Sequence, residues 1–140
     1  MIKKFIFLVI FIILLCLNFI KAQNFYISLG SGFKDDTISL SINNRFIIHD
    51  KIVNSNPILG YSPDALIIYK NDSIKYLNDN KVVNTTPFSY NKKLRIILSI
   101  NGMPYALYAY PKKGKYIVIS KHLHYYNVYI NQYKKSTNLE

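Results

Sequence analysis

The stretch Leu94 to Tyr110, LRIILSINGMPYALYAY, constrains the fold more than any other part of the chain. Asn101-Gly102 separates two apolar alternating runs, and both residues tolerate positive φ at low cost. A two-residue type I′ turn needs positive φ at both central positions, so Asn-Gly between such runs signals a β-hairpin. With that turn, Ile100 faces Met103, Leu98 faces Tyr105, Ile96 faces Leu107 and Leu94 faces Ala109. All lie on one face, because side chains alternate along a strand. The other face pairs Ser99 with Pro104, Ile97 with Ala106 and Arg95 with Tyr108. A one-residue slip would turn the apolar set to water, so burial and turn chemistry specify the same register. Pro104 falls at a non-hydrogen-bonded pair, where its missing N–H would have pointed outward. The outer side of its strand is therefore expected to be an edge or a bulge. The hairpin is expected to form the centre of the core.

The rest of the chain reads as further short strands. Phe25, Ile27 and Leu29 alternate with Tyr26 and Ser28 before Gly30-Ser31-Gly32 breaks the run. Thr37 to Ile42 places Ile38, Leu40 and Ile42 on one face. For the turn that follows, a three-residue loop, Asn43 to Arg45, is expected, because it pairs Ile42 with Phe46 and Leu40 with Ile48 on the same face. Asn54 to Pro63 is the main irregular connection. Leu66 to Leu77 is a hairpin turning at Asn71-Asp72, with Tyr69 facing Ile74 and Ile67 facing Tyr76. A turn at Asn78 to Asn80 leads to a short strand at Val82-Val83. Tyr116 to Ser120 and Tyr125 to Tyr133 supply the last strands. No segment of ten or more residues between Gln23 and Tyr133 has helical periodicity with start and stop signals. The expected fold is all-β: a single antiparallel β-sandwich, jelly-roll or Ig-like, of about eight or nine short strands.

Residues 1–22 read as a signal peptide. Lys3 and Lys4 form a basic n-region, Phe5 to Ile20 is apolar apart from Asn18, and Ala22 is a small residue at a cleavage point. The run of about 16 residues falls short of the roughly 20 a spanning helix needs, so an uncleaved membrane anchor is the second reading. Residues 23–133 form the sandwich domain and residues 134–140 a polar tail. Removing residues 1–22 leaves 118 of the 140 residues, one ordinary domain. It also leaves 15 basic against 7 acidic residues, a formal +8, compared with +11 for the whole chain. The only cysteine, Cys16, goes with the signal. No disulfide can form even in a permissive compartment, so stability must come from a packed core. The expected location is secreted or periplasmic.

Several chemistries are excluded on residue type alone. Without cysteine there is no thiol nucleophile and no zinc-thiolate site. The only glutamate is Glu140, so a two-carboxylate glycosidase would have to draw on six aspartates, several of them in turns. There is no Gly-x-Ser-x-Gly elbow, no P-loop and no His-Glu-x-x-His. These absences favour a protein that is not an enzyme.

Three sets of residues remain as candidates. His122 and His124, spaced by two, share a strand face; with His49 they would suit zinc with an open position. Asp35 and Asp36, after a glycine-containing loop, have the donors for calcium. For both sets the blander reading, solvated histidines and an Asp-rich turn, is the stronger one, and no cofactor is expected. The third set is basic and aromatic: Tyr110, Lys112, Lys113 and Lys115, then Tyr125, Tyr126 and Tyr129. Tyrosine offers a flat ring and a hydroxyl, and lysine attracts acidic groups. An AT-rich coding sequence would also enrich Lys and Tyr. The export signal makes specific nucleic-acid binding an unsuitable role, although the charge would hold nucleic acid non-specifically at low salt. The expected function is a small secreted binding module whose Tyr/Lys surface recognises an acidic polysaccharide, an envelope component or a protein partner. A self-assembling envelope protein is the alternative, and a small metal-dependent enzyme using His49, His122 and His124 the second alternative.

Overall fold

Four dipeptides built from Asn, Asp and Gly set the strand ends. Asn43-Asn44, Asn71-Asp72, Asp79-Asn80 and Asn101-Gly102 all have positive φ, from 46° to 84°. These residue types enter the left-handed region at the lowest cost, and two in succession make a turn whose twist matches the flanking strands. A computed structural model describes residues 1–18, 22–122, 124 and 127–136. It has a helix α1 (Ile2–Asn18) followed by ten strands: β1 (Phe25–Leu29), β2 (Asp36–Ile42), β3 (Arg45–Val53), β4 (Leu66–Lys70), β5 (Ser73–Asn78), β6 (Lys81–Pro87), β7 (Leu94–Ile100), β8 (Met103–Ala109), β9 (Tyr116–Lys121) and β10 (Val128–Tyr133). The side chains of α1 from Ile6 to Ile13 are exposed. No helix among the described residues is long and apolar enough to cross a membrane.

The strands form two sheets of a β-sandwich, a six-stranded one in the order β10-β9-β1-β4-β5-β6 and a four-stranded one in the order β3-β2-β7-β8. Neighbours are antiparallel except β1 and β9, which run parallel. Inward residues alternate along each strand: Phe25, Ile27 and Leu29 on β1 face Ile38, Leu40 and Ile42 on β2 across the core, each at most 1 % exposed. Each such side chain contributes about 1.5–3 kcal/mol by leaving water. One end of the core is aromatic. Phe25 and Tyr69 stack at 5.0 Å, and Phe88 and Tyr90, in the crossing from β6 to β7, pack edge-on against both. The Tyr69 hydroxyl donates to Asp72 Oδ1 at 3.0 Å. Burial, helped by that carboxylate, pushes the phenol up to about 12.

The β7–β8 hairpin has all seven expected pairs, from Leu94 with Ala109 to Ile100 with Met103. Pro104 stands on an edge strand, as its missing N–H requires. Because β8 is that edge, only the β7 half of the hairpin is central: Leu94, Ile96 and Leu98 are fully buried, whereas Met103 is exposed. The Asn71-Asp72 hairpin also has the expected register.

The β2–β3 turn differs from expectation. It has two residues, Asn43-Asn44, and Ile42 faces Arg45. Two bulges in β3 then restore the apolar match. Ile47 is an extra residue, which brings Ile48 opposite Leu40; His49 and Asp50 together oppose Ser39. Asp50, at φ 43°, donates its N–H to Ser39 Oγ at 3.0 Å and accepts the Ser39 hydroxyl at 2.9 Å. The turn is also tied to β7, since Asn43 N–H donates to Arg95 O and Arg95 N–H to Asn43 Oδ1. Lys81 to Pro87 is a longer strand than the expected Val82-Val83, paired along β5 with a bulge at Val83, and the described residues form ten strands in all.

Candidate functional site

The outer face of the six-stranded sheet gathers residues that lie far apart in the sequence. Phe25, Ile27 and Leu29 on β1, Ile117 and Ile119 on β9, and Val128 and Ile130 on β10 point inward, so Tyr26, Tyr116 and Tyr133 are turned outward by alternation. The registers place them in one row across neighbouring strands: Tyr133 opposite Tyr116, Tyr116 beside Tyr26, and Tyr26 opposite Ile68. Lys75 and Thr85 continue the row on β5 and β6. Strands are about 4.8 Å apart, so three tyrosines span about 10 Å. The Tyr26 and Tyr116 rings stack at 5.0 Å with planes 14° apart. Each covers one face of the other, which leaves hydroxyls and electropositive ring edges for a ligand. Lys115 holds its ammonium 5.3 Å from the Tyr116 ring centre.

The basic loop is fixed against the last strand by one glutamine. Gln132 on β10 donates from Nε2 to Tyr110 O at 2.9 Å and to Gly114 O at 2.8 Å, and its Oε1 accepts the Tyr110 N–H at 3.0 Å. A Cβ on Gly114 would lie 2.7 Å from Tyr133 N, so the loop packs directly on the backbone of the last strand. Lys113 lies 5.0 Å from the Tyr110 ring, and Lys112 is exposed at the turn. The structure thus brings Lys115 to the tyrosine row and seats Tyr110, Lys112 and Lys113 on the adjoining loop. Tyr129 shares the outer face of β10 with Tyr133, four residues away. Tyr125 and Tyr126 lie outside the described residues. Tyr26, at the opposite end of the chain from the basic segment, had no local signal; only its outward position in an alternating strand could have nominated it.

The other candidates are separated. His49 is exposed on β3, with Nδ1 3.1 Å from Asp50 Oδ2 and its ring beside Phe46. His122 and His124 follow β9 in the other sheet, and the His122 N–H donates to Asn127 O. Asp35 is at the surface, where it exchanges hydrogen bonds with Asn54. Among the described residues no three His, Cys, Asp or Glu side chains converge as metal ligands.

Asp36 turns inward and is 3 % exposed. Its Oδ2 accepts from Lys121 Nζ at 2.6 Å and from the Lys34 N–H at 3.0 Å, and its Oδ1 accepts from Asn101 Nδ2 at 2.8 Å. Burial by itself would raise the carboxyl, but Lys121, the Lys34 amide and Asn101 together outweigh it and hold Asp36 below the usual carboxylate range. The cluster links β2 and the β7–β8 turn in one sheet to β9 in the other.

The chain matches no protein-family model, no curated protein and no solved structure.

Proposed function

We propose that this is an exported, non-enzymatic binding module, and that the tyrosine row with its adjoining basic loop docks an acidic polysaccharide. The observation that carries the reading is the cross-strand row Tyr133–Tyr116–Tyr26 bordered by Lys115. Phenolic donors and ring edges suit carboxylate or sulfate oxygens, and a sheet face accommodates an extended polymer better than a compact metabolite. The formal charge of +8 on residues 23–140, from 15 basic and 7 acidic residues, adds long-range attraction for a polyanion. Export is supported by the basic n-region, the apolar helix with its exposed side chains, and the small residue at Ala22.

The test is titration of the protein with alginate and heparin, with neutral dextran as control, at low and physiological salt. Saturable binding to an acidic polymer that persists at physiological salt is expected, weakened about tenfold by Tyr26→Ala, which corresponds to about 1.4 kcal/mol. Tyr26→Phe keeps the stack and removes one hydroxyl, so it is expected to weaken binding less. Binding that vanishes with salt, or that ignores both substitutions, would reduce the basic character to composition. Concentration-dependent association without polysaccharide binding would favour a self-assembling protein.

A further inference from the structure

The Lys121–Asp36–Asn101 cluster has the parts of a bond-forming site. One carboxylate holds a primary amine on Oδ2 and a carboxamide nitrogen on Oδ1, at 2.6 and 2.8 Å. The amide carbonyl is engaged as well, since the Thr37 N–H donates to Asn101 Oδ1 at 2.9 Å. The Asn101 backbone is held by its own N–H to Thr37 O at 2.8 Å, and Lys121 by its N–H to Ser31 O at 2.9 Å. Gly32, at φ 94°, packs so closely on Lys121 that a Cβ there would stand 1.7 Å from its carbonyl oxygen. The backbones that carry the nucleophile and the leaving group are therefore fixed, and one carboxylate holds both nitrogens.

We propose that Lys121 and Asn101 become joined by an intramolecular isopeptide bond, with Asp36 as the proton carrier. The Asp36 carboxylate takes a proton from the Lys121 ammonium. The proton passes along the existing 2.6 Å hydrogen bond between Nζ and Oδ2. The freed amine attacks Asn101 Cγ, and the carbonyl electrons move to Oδ1, where the Thr37 N–H stabilises them. Asp36 passes its proton to Nδ2 and takes one from the attacking nitrogen. Collapse of the intermediate restores the carbonyl, breaks Cγ–Nδ2 and releases ammonia, which leaves with the Asp36 proton as ammonium. No oxidant or cofactor enters the balance. Asn101 lies at the surface, so the product escapes directly to solvent. The bond would staple the four-stranded sheet to the six-stranded one in a chain whose only cysteine is Cys16.

The experiment is mass spectrometry of tryptic peptides from the purified full chain, so that N-terminal processing does not enter. The expected product is residues 96–112 joined to residues 116–134, with no cleavage after Lys121, at one ammonia below the summed mass. Lys121→Arg keeps a cation for Asp36 but has no amine to acylate; circular dichroism checks that it folds, and the joined peptide is expected to vanish. Recovery of residues 96–112 and 116–121 as separate, unmodified peptides would overturn the proposal. So would a link one water lighter through the peptide carrying Asp36, which would move the bond to the aspartate. An ammonia loss on residues 96–112 that survives in Lys121→Arg would also overturn it, because that is cyclisation at Asn101-Gly102.

Discussion

Replacing Gln132 tests whether the basic loop is a built feature or a loose one. Its side chain makes three hydrogen bonds, two as donor to Tyr110 O and Gly114 O and one as acceptor from the Tyr110 N–H. Each such bond contributes about 0.5–1.5 kcal/mol net, and two of the three involve an exposed residue, Tyr110, where water can substitute. Gln132→Ala is therefore expected to cost about 1–3 kcal/mol, a large share of the roughly 5–15 kcal/mol typical of a domain. Gln132→Glu keeps the acceptor for the Tyr110 N–H but loses both donors, so it should show about two-thirds of that loss. The assays are urea unfolding for global stability and amide hydrogen exchange for the loop. In the substituted protein the Lys113 N–H, which donates to Tyr110 O, should exchange faster, because the turn it closes has lost its anchor. Affinity for an acidic polymer should fall although no lysine has been removed. An unchanged urea midpoint together with unchanged exchange at Lys113 would refute the reasoning, and the loop would then be held by Pro111 and Gly114 packing alone.

Two other outcomes follow from the core and the buried carboxylate. Leu98→Ala empties a site that is fully buried and paired with Leu40 and Tyr105, so chemical denaturation should show a loss of about 2–5 kcal/mol. In the uncrosslinked Lys121→Arg variant, Asp36 should remain below the unfolded carboxylate value of about 3.9. Its stabilising contribution is then complete above that pH and disappears as pH falls through the lower, folded value, because the unfolded chain binds the proton first. Thermal midpoints across acid pH should show this slope, and Asp36→Asn should flatten it.

The parts of the fold legible in the sequence are those decided by neighbours. Asn101-Gly102 and Asn71-Asp72 carry their turn geometry in their own residues, and the alternating runs beside them leave a single register. Asn43-Asn44 carries the same turn signal, but the apolar pattern after it is out of phase by one residue. Lengthening the loop is the simplest local repair. The protein instead spends the mismatch inside β3, at Ile47 and at His49-Asp50, because Asn43 is bonded to Arg95 from another hairpin. A contact 52 residues away leaves no trace in the local pattern. The same limit applies to the site. The basic segment from Tyr110 to Lys115 was visible as composition, but Gln132 reads as an ordinary polar position in an edge strand. Asp36 reads as half of an acidic turn until Lys121 is brought to it from 85 residues away.

The decisive contact for the proposed binding site is the parallel pairing of β1 with β9. Parallel neighbours need a long crossover, and here almost the whole sandwich lies between the two strands. The tyrosine row therefore rests on a long-range contact: Tyr26 reaches Tyr116, 90 residues on, through the pairing of β1 with β9 in the six-stranded sheet. The same pairing places Gly30, at the end of β1, against Ser120, where an added Cβ would stand 2.2 Å from the hydroxyl. It also leads the chain from β1 into Ser31 and Gly32, the residues that hold the Lys121 backbone. The aromatic row, Lys115 beside it and the half-buried Lys121 thus all depend on one strand being inserted next to β9. A perturbation at β1 should affect all three together, whereas one confined to the β4–β5–β6 meander should leave each intact.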